Sequence, residues 1–220
     1  MKKLIQGIID FRQNLTPEKR QQFAQLALGQ KPDTLFIVCS DSRVAPNVFA
    51  STNPGDLFVL RNAGNLVPPS SAFPDDNSAA AVLEFAVFSL KVTDIIICGH
   101  SECGAMKALI DGVDRACCPH LETWLQYASV SKKRVEEGES ITPTLSLHNQ
   151  ISQSNVLQQM EHILSYSFVY ERVQAKKLRV HGWWFDIANT SIFVYEPPQK
   201  KFALLNEEEA RSILSSLTNS

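Results

Sequence analysis

Apolar positions follow several rhythms along the chain, and each rhythm predicts a different element. Leu4, Ile5, Ile8, Phe11 and Leu15 recur at helical spacing and draw a stripe along one helix face. Thr16 followed by Pro17 has the composition of an N-cap and a first helical residue. A second helix is expected from there to Gly29, burying Phe23, Leu26 and Ala27. The rhythm then changes: Leu35 to Val38 is a continuous apolar run between Pro32-Asp33 and Ser40-Asp41-Ser42, which suits a strand covered on both faces. The turn Asn53-Pro54-Gly55-Asp56 leads into a second strand at Leu57 to Leu60, and Asp94 to Cys98 makes a third.

Between these strands, residues 66 to 77 carry three prolines and read as loop, while Ser78 to Leu90 is Ala-rich and apolar almost all round. That stretch predicts a buried helix capped by Asn77 or Ser78. Further helices are expected at Cys103 to Asp111, closed by Gly112, and at Leu121 to Val135. Residues 147 to 175 should be mostly helical, with Val156, Met160, Ile163 and Leu164 as the apolar face. Leu178 to Ile187 and Ser191 to Tyr195 read as strands around an Asn189-Thr190 turn, and Phe202 to Leu205 as another. A tail helix capped by Asn206, with Glu209 completing a capping box, closes the chain. The alternation of strands and helices predicts an α/β fold: a single domain over 1–220 with a mostly parallel central sheet flanked by helices.

Composition narrows the function. The 220 residues are 44% apolar and 20% charged with a net charge of −2, so there is no basic footprint for nucleic acid or an anionic membrane. A small neutral or weakly anionic ligand fits better. Gln6 and Asp10 interrupt the first apolar stretch, which is therefore not a signal peptide, and no run reaches the roughly 18 apolar residues that cross a bilayer. A cytoplasmic location is expected, where the five cysteines would be thiols or ligands. No Gly-x-Gly-x-x-Gly or Walker pattern points to a nucleotide.

The candidate chemistry lies at two strand ends. Cys39-Ser40-Asp41-Ser42-Arg43 follows the first core strand, and Cys98-Gly99-His100-Ser101-Glu102-Cys103-Gly104 follows the third. In an open parallel sheet, residues beyond the carboxyl ends of different strands meet in space. Two thiolates and an imidazole, Cys39, Cys103 and His100, favour zinc over magnesium or calcium. Three protein ligands leave a fourth position for water or for Asp41, the arrangement of a catalytic zinc. Arg43 is close enough in sequence to fix the Asp41 carboxylate, which could accept a proton from bound water and orient it. Two thiolates cancel the metal charge, so activity should rise toward alkaline pH. Cys117-Cys118-Pro119-His120 has no further ligand pair nearby, and Cys98, His148, His162 and His181 are expected in packing or surface roles, none tied to the metal motifs.

These motifs resemble the signature of the β-class carbonic anhydrases. The likeness extends through Arg61-Asn62-Ala63-Gly64-Asn65-Leu66-Val67-Pro68-Pro69, the Ala-rich helix, and Asn155-Val156 leading to Gly182-Trp183-Trp184-Phe185-Asp186, covering roughly residues 28 to 196. It implies reversible hydration of carbon dioxide to bicarbonate and a proton, by attack of zinc-bound hydroxide. One zinc per subunit would be held by Cys39, His100 and Cys103, with Asp41 and Arg43 as the catalytic dyad. Gln30, Phe58, Ala63, Phe85 and the Gly104 amide match the substrate pocket, Gln30 reaching across a dimer interface. Ala63 and Phe85 stand where plant-type members carry Val and Tyr, which implies a roomier and drier pocket.

Phe36, Arg61 and Phe185 match a Trp, Arg and Tyr trio that binds regulatory bicarbonate in one branch of the family. The resemblance therefore implies an open, plant-like site without that regulation. It also implies a homodimer or dimer of dimers, with the N-terminal helical arm, residues 1–29, packing on a neighbouring subunit. The same scaffold admits hydrolysis of carbonyl sulfide or carbon disulfide, and a zinc-dependent binding protein without turnover is the reading from another class.

Overall fold

The apolar run at residues 35–38 lies in the interior of a six-stranded sheet. The structure, a computed structural model, describes residues 1–72, 78–208, 210 and 211. Strand β1 (Thr34–Cys39) pairs in parallel with β2 (Leu57–Asn62) on one side and β3 (Asp94–His100) on the other. Next to β3, β4 (Arg179–Asp186) continues the parallel set, and β5 (Ser191–Glu196) and β6 (Lys201–Leu204) add an antiparallel edge. The order is β2-β1-β3-β4-β5-β6. Leu35, Phe36, Ile37 and Val38 are at most 1% exposed, which explains why the run shows no alternation. Each contributes about 1.5–3 kcal/mol of transfer free energy. The expected single α/β domain with a mostly parallel sheet is what the chain forms.

The helices, in chain order, are α1 (Lys2–Gln13), α2 (Pro17–Leu26), α3 (Pro46–Phe49), α4 (Ser78–Glu84), α5 (Gly104–Asp111), α6 (Pro119–Leu125), α7 (Ser129–Glu136), α8 (Leu147–Leu164) and α9 (Ser167–Gln174). The Thr16 cap forms, its Oγ1 accepting the Lys19 amide at 3.3 Å. The burial expected of α2 does not follow: Phe23 and Ala27 are exposed and Leu26 is only half-buried. Likewise α1 buries nothing, and Leu4, Ile5, Ile8 and Phe11 are each more than half exposed. The two helices touch through Phe11 and Phe23, ring centroids 6.0 Å apart, but among the described residues no layer covers their stripes.

Two other elements differ from expectation. Ser78 to Leu90 begins as α4 and turns π-helical from Phe85, and it is buried only on the side facing the core, through Ala79, Leu83, Ala86 and Val87. Phe85 and Phe88 point outward, 45% and 54% exposed. The stretch 121–135 is broken by a 3-10 turn at Gln126–Ala128, whereas 147–175 is mostly helical as expected, divided into α8 and α9. In the tail, the Ala210 amide donates to the Asn206 carbonyl at 2.9 Å, while the Asn77 cap and Glu209 lie outside the described residues.

Helix α8 lies very close to the sheet because two glycines face it. A Cβ on Gly99 would stand 2.7 Å from Val156 Cγ2, and one on Gly182 would stand 2.9 Å from Val156 Cγ1 and 2.8 Å from Met160 Sδ. At the opposite end of β3, Asp94 accepts hydrogen bonds from Arg179 Nε and Nη2, both at 2.7 Å, and from Thr93 Oγ1 at 2.8 Å, with His181 Nε2 also at 2.8 Å. Burial by itself raises the Asp94 pKa, but these donors outweigh it and hold the carboxyl well below the usual range. A depressed folded pKa stabilises the fold above about pH 4, and that contribution is lost as pH falls further. Asp94→Asn should therefore cost about 1–3 kcal/mol in urea unfolding at neutral pH. The gap from wild type should start to narrow below about pH 4 and keep shrinking as the pH is lowered further; a gap that stays constant down to the most acidic pH at which the protein remains folded would exclude the ionised carboxylate as its source.

Candidate metal centre

Parallel pairing in the register Val38 to Cys98 sets the ends of β1 and β3 side by side. Helix α5 starts immediately beyond, with Cys103 as its N-cap. The consequence is a cluster in which ligand atoms of Cys39, His100 and Cys103 lie within 4.8 Å of one another, all three residues buried. Among the described residues no other group of three or more metal-binding side chains occurs. Cys117 and Cys118 are exposed thiols outside any such group, and Cys98 packs with Phe36, Val38 and Val44 in a separate cluster.

The donor set fits zinc. His100 Nδ1 lies 2.8 Å from the Ser101 carbonyl, so it carries the proton and leaves Nε2 as a bare lone pair. That Nε2 is buried with no hydrogen-bond partner, a deficit costing about 1–3 kcal/mol that a metal ion would remove. The Gly64 amide donates to Cys39 Sγ at 3.4 Å. The two thiols act on each other: Cys103, then the nearby His100 ring and the Gly64 amide, pull Cys39 down against its burial, while Cys39 and burial push Cys103 up. A dication between them favours both thiolates.

Beside the cluster, Arg43 grips Asp41 with a two-pronged contact, Nε to Oδ1 at 3.0 Å and Nη2 to Oδ2 at 2.7 Å, and its own amide adds a bond to Oδ1 at 3.0 Å. These bonds outweigh partial burial and hold Asp41 well below the usual carboxylate range. Arg43 Nη2 also donates to the Glu102 carbonyl at 3.0 Å, tying the two motifs together. Arg61 lies under the same loop and donates to the carbonyls of Cys39, Asp41 and Val44 at 2.8–2.9 Å.

One expectation is corrected here: His148 is tied to the metal motifs, its Nε2 lying 2.8 Å from Glu102 Oε1. The contact depends on Glu102 adopting a left-handed backbone, φ 57°, which residue type alone does not signal. His162 instead lies against the Val67 carbonyl and His181 against Asp94.

A cavity of about 270 Å³ opens onto the cluster, lined by Cys39, Ser40, Asp41, Ala63, Gly104, Ala105, Ala108 and Leu121. Of the expected pocket residues it includes Ala63 and Gly104. Phe58 and Phe85 pair elsewhere, centroids 5.6 Å apart, and Gln30 sits in a separate cleft with Leu26 and Gly55. Trp124 Nε1 donates to the carbonyl of the lining residue Ala63 at 2.8 Å, a contact not foreseen from the sequence.

A parallel α/β sheet with a Cys, His, Cys cluster at its strand ends and an Asp-Arg pair beside it defines the class. The carbonic anhydrase family profile matches residues 34–192. A carbonic anhydrase of Synechococcus elongatus is 38% identical over 193 residues, 87% of this chain and 70% of that protein. The solved β-carbonic anhydrase CcaA superposes with a TM-score of 0.86 at 34% identity, over 93% of this chain and 98% of its own. A tetrameric β-carbonic anhydrase of the ascomycete Sordaria macrospora gives 0.71 at 32%, over 88% and 92%. The chain belongs to the β-class carbonic anhydrases.

Proposed function

We propose that the chain hydrates carbon dioxide reversibly to bicarbonate and a proton, with one zinc ion held by Cys39, His100 and Cys103. One observation carries the reading: a buried imidazole nitrogen without a protein partner shares a cluster with two thiols, next to a carboxylate locked by an arginine. Bound zinc would supply the Lewis acidity that makes water nucleophilic near neutral pH. Asp41 stays ionised throughout the physiological range, so it can accept the hydrogen bond of the reacting water and orient its lone pair. Arg43 keeps that carboxylate from turning. Ala63, Ala105, Ala108 and Leu121 give the cavity apolar walls suited to a small apolar gas, and the Gly104 amide, in the first turn of α5, is placed to meet an oxygen of the substrate.

In this reading the metal is open and bicarbonate does not regulate it. Both Asp41 oxygens are engaged by Arg43, and Arg61 is engaged by loop carbonyls. Phe36 and Phe185 are buried around Phe49, at centroid distances of 6.0 and 4.8 Å, and offer no hydrogen-bonding group to an anion. Gln30, Phe58 and Phe85 would complete the pocket from a second copy, in a homodimer or dimer of dimers whose arms, residues 1–29, bury α1. The exposure of α1 and of Phe85 supports that assembly. No helix among the described residues is long and apolar enough to cross a membrane, and a cytosolic setting would keep the thiols reduced.

Stopped-flow hydration of carbon dioxide tests the function. A rate that disappears with a zinc chelator, returns with zinc and rises toward alkaline pH is expected; no zinc-dependent rate above buffer would overturn it.

A further inference from the structure

The buried face of α8 is polar where it passes the metal centre. Asn149, Ser152 and Asn155 stand three residues apart on this helix, at 9%, 2% and 1% exposure. Asn149 Oδ1 accepts the Glu102 amide at 2.8 Å, Ser152 Oγ donates to the His100 carbonyl at 2.8 Å, and Asn155 Nδ2 donates to the Gly64 carbonyl at 3.0 Å. Each bond falls on the segment of a different ligand. Glu102 immediately precedes Cys103, His100 is itself a ligand, and the Gly64 amide is the donor to Cys39 Sγ.

None of the three side chains is free to turn. Asn155 Oδ1 accepts from Gln159 Nε2 at 2.9 Å, and Gln159 is held in turn by the Tyr127 carbonyl at 3.0 Å and the Val67 amide at 2.8 Å. Ser152 Oγ lies 3.2 Å from the Trp184 Nε1 donor. Asn149 braces a residue in the left-handed region, where a glutamate costs on the order of 1 kcal/mol. Rotating any of them would leave buried groups unpaired at about 1–3 kcal/mol each.

We propose that Asn149, Ser152 and Asn155 are positioning residues, one for each metal ligand, through which α8 sets the affinity and electronic environment of the centre. The inference rests on Cys39, His100 and Cys103 being a zinc site. Groups that orient ligands in this way typically change metal affinity by 10–100-fold when removed.

The test compares Asn149→Ala, Ser152→Ala and Asn155→Asp with Gln150→Ala. Gln150 bonds the carbonyls of Pro143 and Leu145 and reaches no ligand segment. Zinc affinity is measured by competition with a chromophoric chelator, and the sulfur-to-cobalt absorption is recorded after cobalt(II) substitution. The first three variants should bind zinc about 10–100-fold more weakly. Asn155→Asp should in addition shift the sulfur-to-cobalt band, since the Gly64 amide would no longer be held against Cys39. Gln150→Ala should match wild type in both. Ser152→Ala removes a single oxygen, which keeps the test decisive if Asn155→Asp fails to fold.

Variants that lose urea stability yet keep wild-type zinc affinity and cobalt spectrum would show a merely structural role and overturn the proposal. The expected affinity losses in a protein that hydrates no carbon dioxide would sustain this inference and overturn the proposed function alone.

Discussion

Cys103→Ala protein should be isolated with little zinc and should hydrate carbon dioxide no faster than buffer. With only Cys39 and His100 left of the proposed ligands, the site would fall below the three protein ligands of an ordinary catalytic zinc. Alanine is smaller than cysteine at a position only 1% exposed, and the N-cap role of Cys103 uses its backbone, so the fold should persist. Circular dichroism with metal analysis of the same sample separates the two effects. An α/β spectrum with zinc missing is the expected pair of results. Stoichiometric zinc in that variant would mean that Cys103 is not a ligand.

Asp41→Asn should leave the metal in place and still lose turnover by about 10²–10⁴-fold, the range removed with a positioned proton acceptor. Asparagine has the same shape and retains one oxygen for Arg43, so the loop from Cys39 to Val44 should stay pinned by Arg61. What disappears, on the proposed function, is the anionic oxygen that would accept from the reacting water. The loss should fall on kcat more than on KM, because the cavity walls are untouched. Zinc analysis again discriminates: metal lost together with activity would make Asp41 a ligand, and the open-site reading would fail.

The ligand cluster and the central strands were legible in the sequence for the same reason. An unbroken apolar run such as Leu35 to Val38 has few meanings other than a strand covered on both faces, and chemistry at its end lies where parallel sheets collect ligands. The arm was legible as helices but not as buried surface, because the stripe from Leu4 to Phe11 finds no partner among the described residues. Helix α8 was legible only in part. Its periodic apolar residues were recognised, yet Gln153, Ser154, Gln158 and Gln159 are buried as well, and side chains of that kind read as surface until their partners are placed. The link from His148 to Glu102 joins residues 46 apart through a left-handed turn, information that exists only in three dimensions.

Strand β3 begins at Asp94 and ends at His100, six residue steps or roughly 20 Å apart. The ion pairs expected to set acid tolerance therefore sit at one end of a strand whose other end carries the Cys, His, Cys cluster. Effects of substitutions separated by more than about 10 Å without shared partners usually add. Tolerance to acid should thus be adjustable around Asp94, Arg179 and His181 without altering the pH profile of the reaction, which makes the strand a natural division between two independently evolvable properties.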